Sequence, residues 1–186
     1  MNIVLDNLSI HRAKSLSSMF YMCRNLHKLD LSCWDTSHII DMRYLFKSCT
    51  NLKELNISSL NTQRVKYMNS MFDGCYSLES LDLSSFNTRR VENMSSMFKG
   101  CQLIKQLDIS NFNTTKVKDM TGMFLNCISL EELDISWFKA NKKLTRSDFM
   151  FVGCSKLKTI KFPSNKRACK HIEDAYERSD KAIVIK

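Results

Sequence analysis

The chain has 186 residues, a net charge of +9, 44% hydrophobic residues and 25% charged ones. That composition excludes a wholly disordered or collagen-like chain and is enough for one domain with a sizeable core. Only 4 Gly and 1 Pro argue against a glycine-rich phosphate loop and against an all-β protein full of tight turns. No apolar run reaches the roughly 18 residues that mark a membrane span. The first residues, Met1 to Asp6, lack the basic and apolar regions of a secretory signal.

A short strand is expected first, at Ile3-Val4-Leu5, one repeat step before Leu29 and Leu31. From there a period of 26 governs the chain, and internal repeats decide the fold before anything else. Cysteines stand at 23, 49, 75, 101, 127 and 154, the last step being 27. Phe20, Phe46, Phe72, Phe98, Phe124 and Phe151 keep the same step. So do Trp34, Leu60, Phe86, Phe112 and Phe138, and Met42, Met68, Met94 and Met120.

Within each unit a Leu-x-Leu piece alternates at period two, as a short strand does. These pieces are Leu29-x-Leu31, Leu55-x-Ile57, Leu81-x-Leu83, Leu107-x-Ile109, Leu133-x-Ile135 and Ile160-x-Phe162. Asn87-Thr88 and Asn113-Thr114 are turn-formers just after it. Met94, Met97, Phe98 and Cys101 then recur at spacings of three and four, which predicts a short helix. Asp41, Asn93 and Asp119 are its expected N-caps, and Gly74, Gly100, Asn126 and Gly153 its expected ends. After Ser164 the pattern stops. A helix over 168–178 and a strand over 182–185 are expected there as a cap.

The expected fold class is therefore α/β. It is a solenoid of about six 26-residue repeats, with a parallel sheet on the concave face and short helices on the convex side. The repeat array covers 1–163, with a half-repeat at 1–10, and the cap covers 164–186.

The string Leu81-Asp82-Leu83-Ser84-Ser85-Phe86-Asn87-Thr88, followed by Val91, Met94, Met97-Phe98 and Gly100-Cys101, resembles the BspA-like leucine-rich repeats. These are common in surface proteins of anaerobic bacteria, mycoplasmas and some protozoa. The resemblance runs over residues 3–163 and implies a protein-binding solenoid, often an adhesin, with no catalytic residues. The last unit departs from the motif, with Lys139-Ala140 for Asn-Thr and Ser147 for Met.

The eight cysteines invite a disulfide or metal reading. Six sit in one apolar column, so a reduced, buried ladder is the simpler expectation. Cys33 and Cys169 lie outside it and are the expected exposed thiols. No C-x-x-C spacing supports zinc, and no metal or cofactor is expected. The histidines His11, His27, His38 and His171 share no column, and no catalytic motif is present, so no enzyme is expected. Reduced thiols and the missing signal predict a cytoplasmic protein. A fragment, or a chain exported by another route, would instead be secreted or held at the cell surface.

Two faces are candidates for binding. Asp30, Asn56, Asp82, Asp108 and Asp134 form one outward column beside the inward leucines. Like charges stacked this way repel, so a structural task inherent to the repeat is the simpler reading of that column. Lys28, Glu54, Ser80, Gln106 and Glu132 form a second column, which varies freely from unit to unit. Together they make a mildly acidic strip, the first choice for a protein partner. Arg12, His38, Arg64, Arg90, Lys116 and Lys143 form a basic rim, beside Lys66, Arg89, Lys118 and Lys142. A solvated edge is its simpler reading; nucleic acid or an anionic membrane surface is the alternative ligand. No aromatic residues interleave with these cations to stack on bases.

Overall fold

The computed structural model describes residues 8–139, 144–164, 166–179 and 184–185. The expected strand at Ile3-Val4-Leu5, and most of the half-repeat at 1–10, lie outside them. Four short strands occupy Leu-x-Leu positions: β1 (Lys28–Asp30), β2 (Glu54–Asn56), β3 (Glu132–Asp134) and β4 (Thr159–Lys161). A helix α1 (Lys166–Glu177) and a strand β5 (Val184–Ile185) follow. β1 pairs parallel with β2 at Lys28↔Glu54, a register of one repeat. β3 pairs parallel with β4, and β4 with β5, in a three-stranded sheet. The class is thus α/β with small parallel sheets.

The short helices expected on the opposite side are not formed. Over 94–101 the backbone makes consecutive turns instead. The Met97 N–H donates to the Met94 carbonyl at 3.2 Å, Lys99 to Ser96 at 3.2 Å and Cys101 to Phe98 at 3.1 Å. The alternate N–H groups leave the coil altogether. Met94, Ser96, Phe98 and Gly100 donate to Asp119, Thr121, Met123 and Leu125 of the next coil at 2.8–2.9 Å. The same four-bond pattern joins residues 16–22 to 41–47.

The reason is local. Two residues per coil, four apart, have positive φ: Ser18 and Met22, Tyr44 and Ser48, Ser70 and Gly74, Ser96 and Gly100, Gly122 and Asn126, Phe149 and Gly153. A left-handed residue cannot continue a right-handed helix. Spacings of three and four fit a chain of turns as well as they fit a helix, so the sequence period did not separate the two. Asp41, Asn93 and Asp119 accordingly cap no helix. Their side chains accept the N–H two residues on, from Arg43, Ser95 and Thr121, at 2.8–3.0 Å. They also sit in parallel bridges running Ser15–Asp41–Tyr67–Asn93–Asp119–Arg146.

Between the two faces lies one core. Phe46, Phe72, Phe98, Phe124 and Phe151 are buried and stack ring on ring, with Phe20, at 5.6–6.0 Å between centroids. The cysteine column fills the space beside them as small apolar groups. From Cys49 to Cys154 each thiol of the column donates to the Phe carbonyl of the preceding coil, as Cys75 does to Phe46 at 3.2 Å and Cys127 to Phe98 at 3.1 Å. Tyr176 of α1 closes the core end, edge-on to Phe151 at 6.1 Å and to Phe162 at 5.6 Å. Ser147, standing where earlier coils have Met, donates to the His171 carbonyl of α1 at 2.6 Å. That departure from the repeat therefore serves the end of the array.

Candidate protein-binding face

In β1 and β2 the residues flanking the central leucine are exposed: Lys28 and Asp30, Glu54 and Asn56. The same positions in the third and fourth coils, Ser80, Asp82, Gln106 and Asp108, are also exposed, although no strand is formed there. Glu132 is exposed and Asp134 half-buried in β3.

The two columns have different tasks. The Asp column holds its own coil. The carboxylates of Asp30, Asp82, Asp108 and Asp134 accept the backbone N–H of Ser32, Ser84, Ser110 and Ser136 at 2.8–2.9 Å. Asn56 makes the same turn with Ser58 at 3.3 Å. Hydrogen bonds to the charged form lower a carboxyl pKa. The Ser84 hydroxyl and amide hold Asp82 below its ordinary value, and the Ser110 amide and hydroxyl do so for Asp108. At Asp134 burial pushes the other way, but the Ser136 bonds and Lys161 outweigh it. The variable column is freer. Lys28 reaches Glu54 at 2.6 Å, while Ser80, Gln106 and Glu132 make no side-chain bond among the described residues.

Two clefts open on this face. One of about 410 Å³ is lined by Lys28, Asp30, Glu54, Asn56, Ser80 and Asp82 along with Leu29, Lys53 and Leu55. Six of the ten expected residues therefore meet in it. A second, of about 660 Å³, is lined by Glu79, Ser80, Leu81, Asp82, Lys105, Gln106 and Glu131. Asp108, Glu132 and Asp134 line neither. Glu79, Lys105 and Glu131 were not among the expected site residues. Their column reads Lys53, Glu79, Lys105, Glu131 and Lys158, one residue ahead of the variable column, and its charge alternates coil by coil. That alternation was the available signal. It lets neighbouring coils attract, as Lys158 and Glu131 do at 3.8 Å.

The expected concavity loses its usual cause. Curvature with strands inside needs a wider layer outside, and the turns here are spaced by the same direct hydrogen bonds as a sheet.

On the rim, Arg12, Arg64, Arg90 and Lys116 are exposed and enter no ion pair among the described residues. His38 differs. It is half-buried, with Nε2 2.9 Å from the Ile10 carbonyl, so it stitches two coils rather than facing a ligand. Lys143 lies outside the described residues. Lys118 is paired with Glu92 at 2.5 Å.

The threonine column proved more than a turn signal. Thr36, Thr62, Thr88 and Thr114 are buried, and each hydroxyl bridges the next coil. Thr88 Oγ1 donates to the Asn113 carbonyl at 3.1 Å and accepts the Asn113 N–H at 2.6 Å. The described cysteines Cys23, Cys33, Cys49, Cys75, Cys101, Cys127 and Cys154 form no disulfide with one another. Burial pushes Cys49 up to about 12 and raises Cys75, Cys101 and Cys127 well above the usual thiol range. They stay protonated and unreactive, since the thiolate is the nucleophile. Cys33 is exposed as expected; the Cys169 side chain lies outside the described residues.

Comparison with known proteins adds to this geometry. A family model described as "Mycoplasma protein of unknown function, DUF285" matches residues 14–106 and 82–182. A crystal structure of a leucine-rich repeat protein from Bacteroides ovatus is 25% identical over 80% of this chain, with a TM-score of 0.55. The match covers 34% of that protein, so this chain spans about a third of its length. A T. pallidum leucine-rich repeat protein is 16% identical over 80% of this chain and 51% of its own, with a TM-score of 0.39. A search of curated proteins finds no match.

Proposed function

This chain belongs to the DUF285 family and is a BspA-like leucine-rich-repeat protein, and we propose that it is a non-catalytic protein-interaction module working through its strand face. The observation that carries the reading is the variable column. Lys28, Glu54, Ser80, Gln106 and Glu132 change charge and size from coil to coil on a scaffold that does not dictate them. The clefts bordered by Lys28, Glu54, Ser80 and Gln106 are open to a partner. An array of about six coils forming a solenoid over 1–163, closed by a cap over 164–186, is the architecture this reading uses. The reduced cysteine column fits a reducing compartment. A surface, adhesin-like role is the corresponding reading if the chain acts within a longer repeat protein. No helix among the described residues is long and apolar enough to cross a membrane.

The test compares two charge-reversed proteins as bait. One carries Glu54→Lys, Gln106→Lys and Glu132→Lys on the strand face. The other carries Arg64→Glu, Arg90→Glu and Lys116→Glu on the rim. Partners captured by the unmodified chain should be lost by the first and kept by the second. The reverse pattern would reject the strand face.

A second reading is favoured by the four exposed, unpaired rim cations: binding of nucleic acid or an anionic membrane. Its check is a salt titration against DNA, RNA and acidic vesicles. Binding that weakens steeply with salt, and vanishes in the rim variant, would establish it.

A further inference from the structure

The fifth coil breaks the repeat at two neighbouring positions, and both line one cleft. The first is Trp137. Coils two to four hold Ser59, Ser85 and Asn111 there, and each side chain stitches its coil to the one before. Ser59 Oγ donates to the Leu31 carbonyl at 3.3 Å, Ser85 Oγ to Ile57 at 3.4 Å and Asn111 Nδ2 to Leu83 at 2.8 Å. Trp137 makes no side-chain bond among the described residues and leaves its ring 53% exposed. The second is Lys139. Earlier coils hold Asp35, Asn61, Asn87 and Asn113 there, and each Oδ1 accepts the N–H two residues on at 2.9–3.2 Å. An ammonium has no acceptor and cannot close that turn. The fold does not ask for either change. Phe138 between them is buried like Phe86 and Phe112, and the Lys139 N–H still reaches Thr114 Oγ1 at 2.9 Å.

The cleft measures about 480 Å³, the size of a small-ligand site. Residues 110–113 of the fourth coil lie between Trp137 and Lys139 on one side and Asn87 and Arg89 on the other. Arg89 and Lys139 are its charged residues, both exposed and in no ion pair among the described residues. The neutral residues offer both senses of hydrogen bond. Asn87 and Asn113 commit Oδ1 to their turns and keep Nδ2 as a donor. Asn111 commits Nδ2 to the Leu83 and Phe86 carbonyls and keeps Oδ1 as an acceptor. An indole offers an apolar, electron-rich face. The C–H face of a pyranose ring complements it, and sugar hydroxyls both give and take hydrogen bonds. A phosphate ester would need donors alone. We propose that this cleft binds a carboxylate-bearing pyranose, a uronic or sialic acid residue of a glycan. Its C–H face lies on Trp137 and its carboxylate meets Arg89 and Lys139. None of these residues belongs to the strand-face columns, so the site stands or falls independently of the protein-binding reading.

The chain has two tryptophans, Trp34 buried and Trp137 exposed, so acrylamide quenching of the full chain reports mainly on Trp137. The probes are glucuronate and sialyllactose, with glucose and lactose as their neutral twins and an oligothymidylate as the nucleic acid, all at constant ionic strength. An acidic probe should shield Trp137 saturably, and its neutral twin should bind at least about tenfold more weakly. Shielding by glucuronate alone, or by sialyllactose alone, supports the proposal and identifies the acid. Trp137→Ser and Lys139→Asn each restore the residue of an earlier coil, so both variants should melt no lower than the unmodified chain. Each should bind the acidic probe at least about tenfold more weakly in calorimetry. Absence of shielding by both acids, equal affinity for a neutral twin, or undiminished affinity in either variant overturns the proposal. Tighter binding of the oligothymidylate that is lost in Trp137→Ser also overturns it and assigns the ring to a base.

Discussion

The turn face and the strand face are built from the same coils, yet they differ in how the coils are joined. On the turn face, direct bonds at 2.7–3.1 Å run without a break from residue 16 to residue 152. On the strand face, strands pair only at the two ends among the described residues. The lesson is a division of labour. One side carries the cohesion, so the other is released from it and its side chains vary. The conventional picture gives cohesion to the sheet; in this protein the turns bear it.

The sharpest test of that division is a pair of truncations. Phe98→Ala removes a ring stacked on Phe72 and Phe124, at 5.7 Å from each, and leaves a cavity in the closed region. A loss of about 3–5 kcal/mol is expected in denaturant unfolding. Leu81→Ala, in the open region, should cost less than half as much. Equal losses would break the comparison. Next in size is Thr88→Val, which keeps the shape but strips the bridge to Asn113 and leaves the half-buried Asn113 N–H and carbonyl without that partner. About 1–3 kcal/mol should be lost, measured the same way. Smaller and opposite in sign is Phe149→Gly. Phe149 holds a φ of 59° with its ring exposed, where most other coils place Ser or Gly and one places Tyr44. Relief of that conformation should raise stability by about 1 kcal/mol.

The smallest effect is in acid. Asp82 and Asp108 have folded-state values below the ordinary 3.8, so the unfolded chain binds protons first as pH falls. Their contribution is complete above 3.8 and disappears as pH drops through the lower folded values. The melting temperature of the Asp82→Asn, Asp108→Asn double variant should therefore fall less steeply below that pH than that of the unmodified chain. Parallel curves would detach these carboxylates from the turns they close.

The 26-residue period was legible because core positions are strict: a misplaced Phe98 would meet no ring above or below. The strands at 29, 55, 133 and 160 were legible from period two. Two things were not. Turn against helix hinges on φ at Ser18, Tyr44, Ser70 and Ser96, and Ser and Tyr carry little left-handed signal in a sequence. The break in the sheet was equally hidden, because Leu81 and Leu107 look the same in sequence as Leu29 and Leu133. Of the candidate site, the residues flanking the strands were visible from alternation alone. Glu79, Lys105 and Glu131 were not, since they precede the strands and belong to no apolar pattern.

The forward bonds of the turn face have a direction. Leu16, Ser18, Phe20 and Met22 point their N–H groups at the carbonyls of Asp41, Arg43, Leu45 and Lys47, and later coils repeat this. Opposed bonds, from Lys66 to Ile40 and onward and at the strand starts such as Lys53 to His27 and Lys158 to Glu131, cancel only part of it. The peptide dipoles therefore add along the stack, with the positive pole toward the C-terminal coil. In an α-helix the positive pole lies at the N-terminus. An anion would be drawn to one extremity of this molecule and a cation to the other. Two such stacks would join favourably head to tail, and repel when like poles meet.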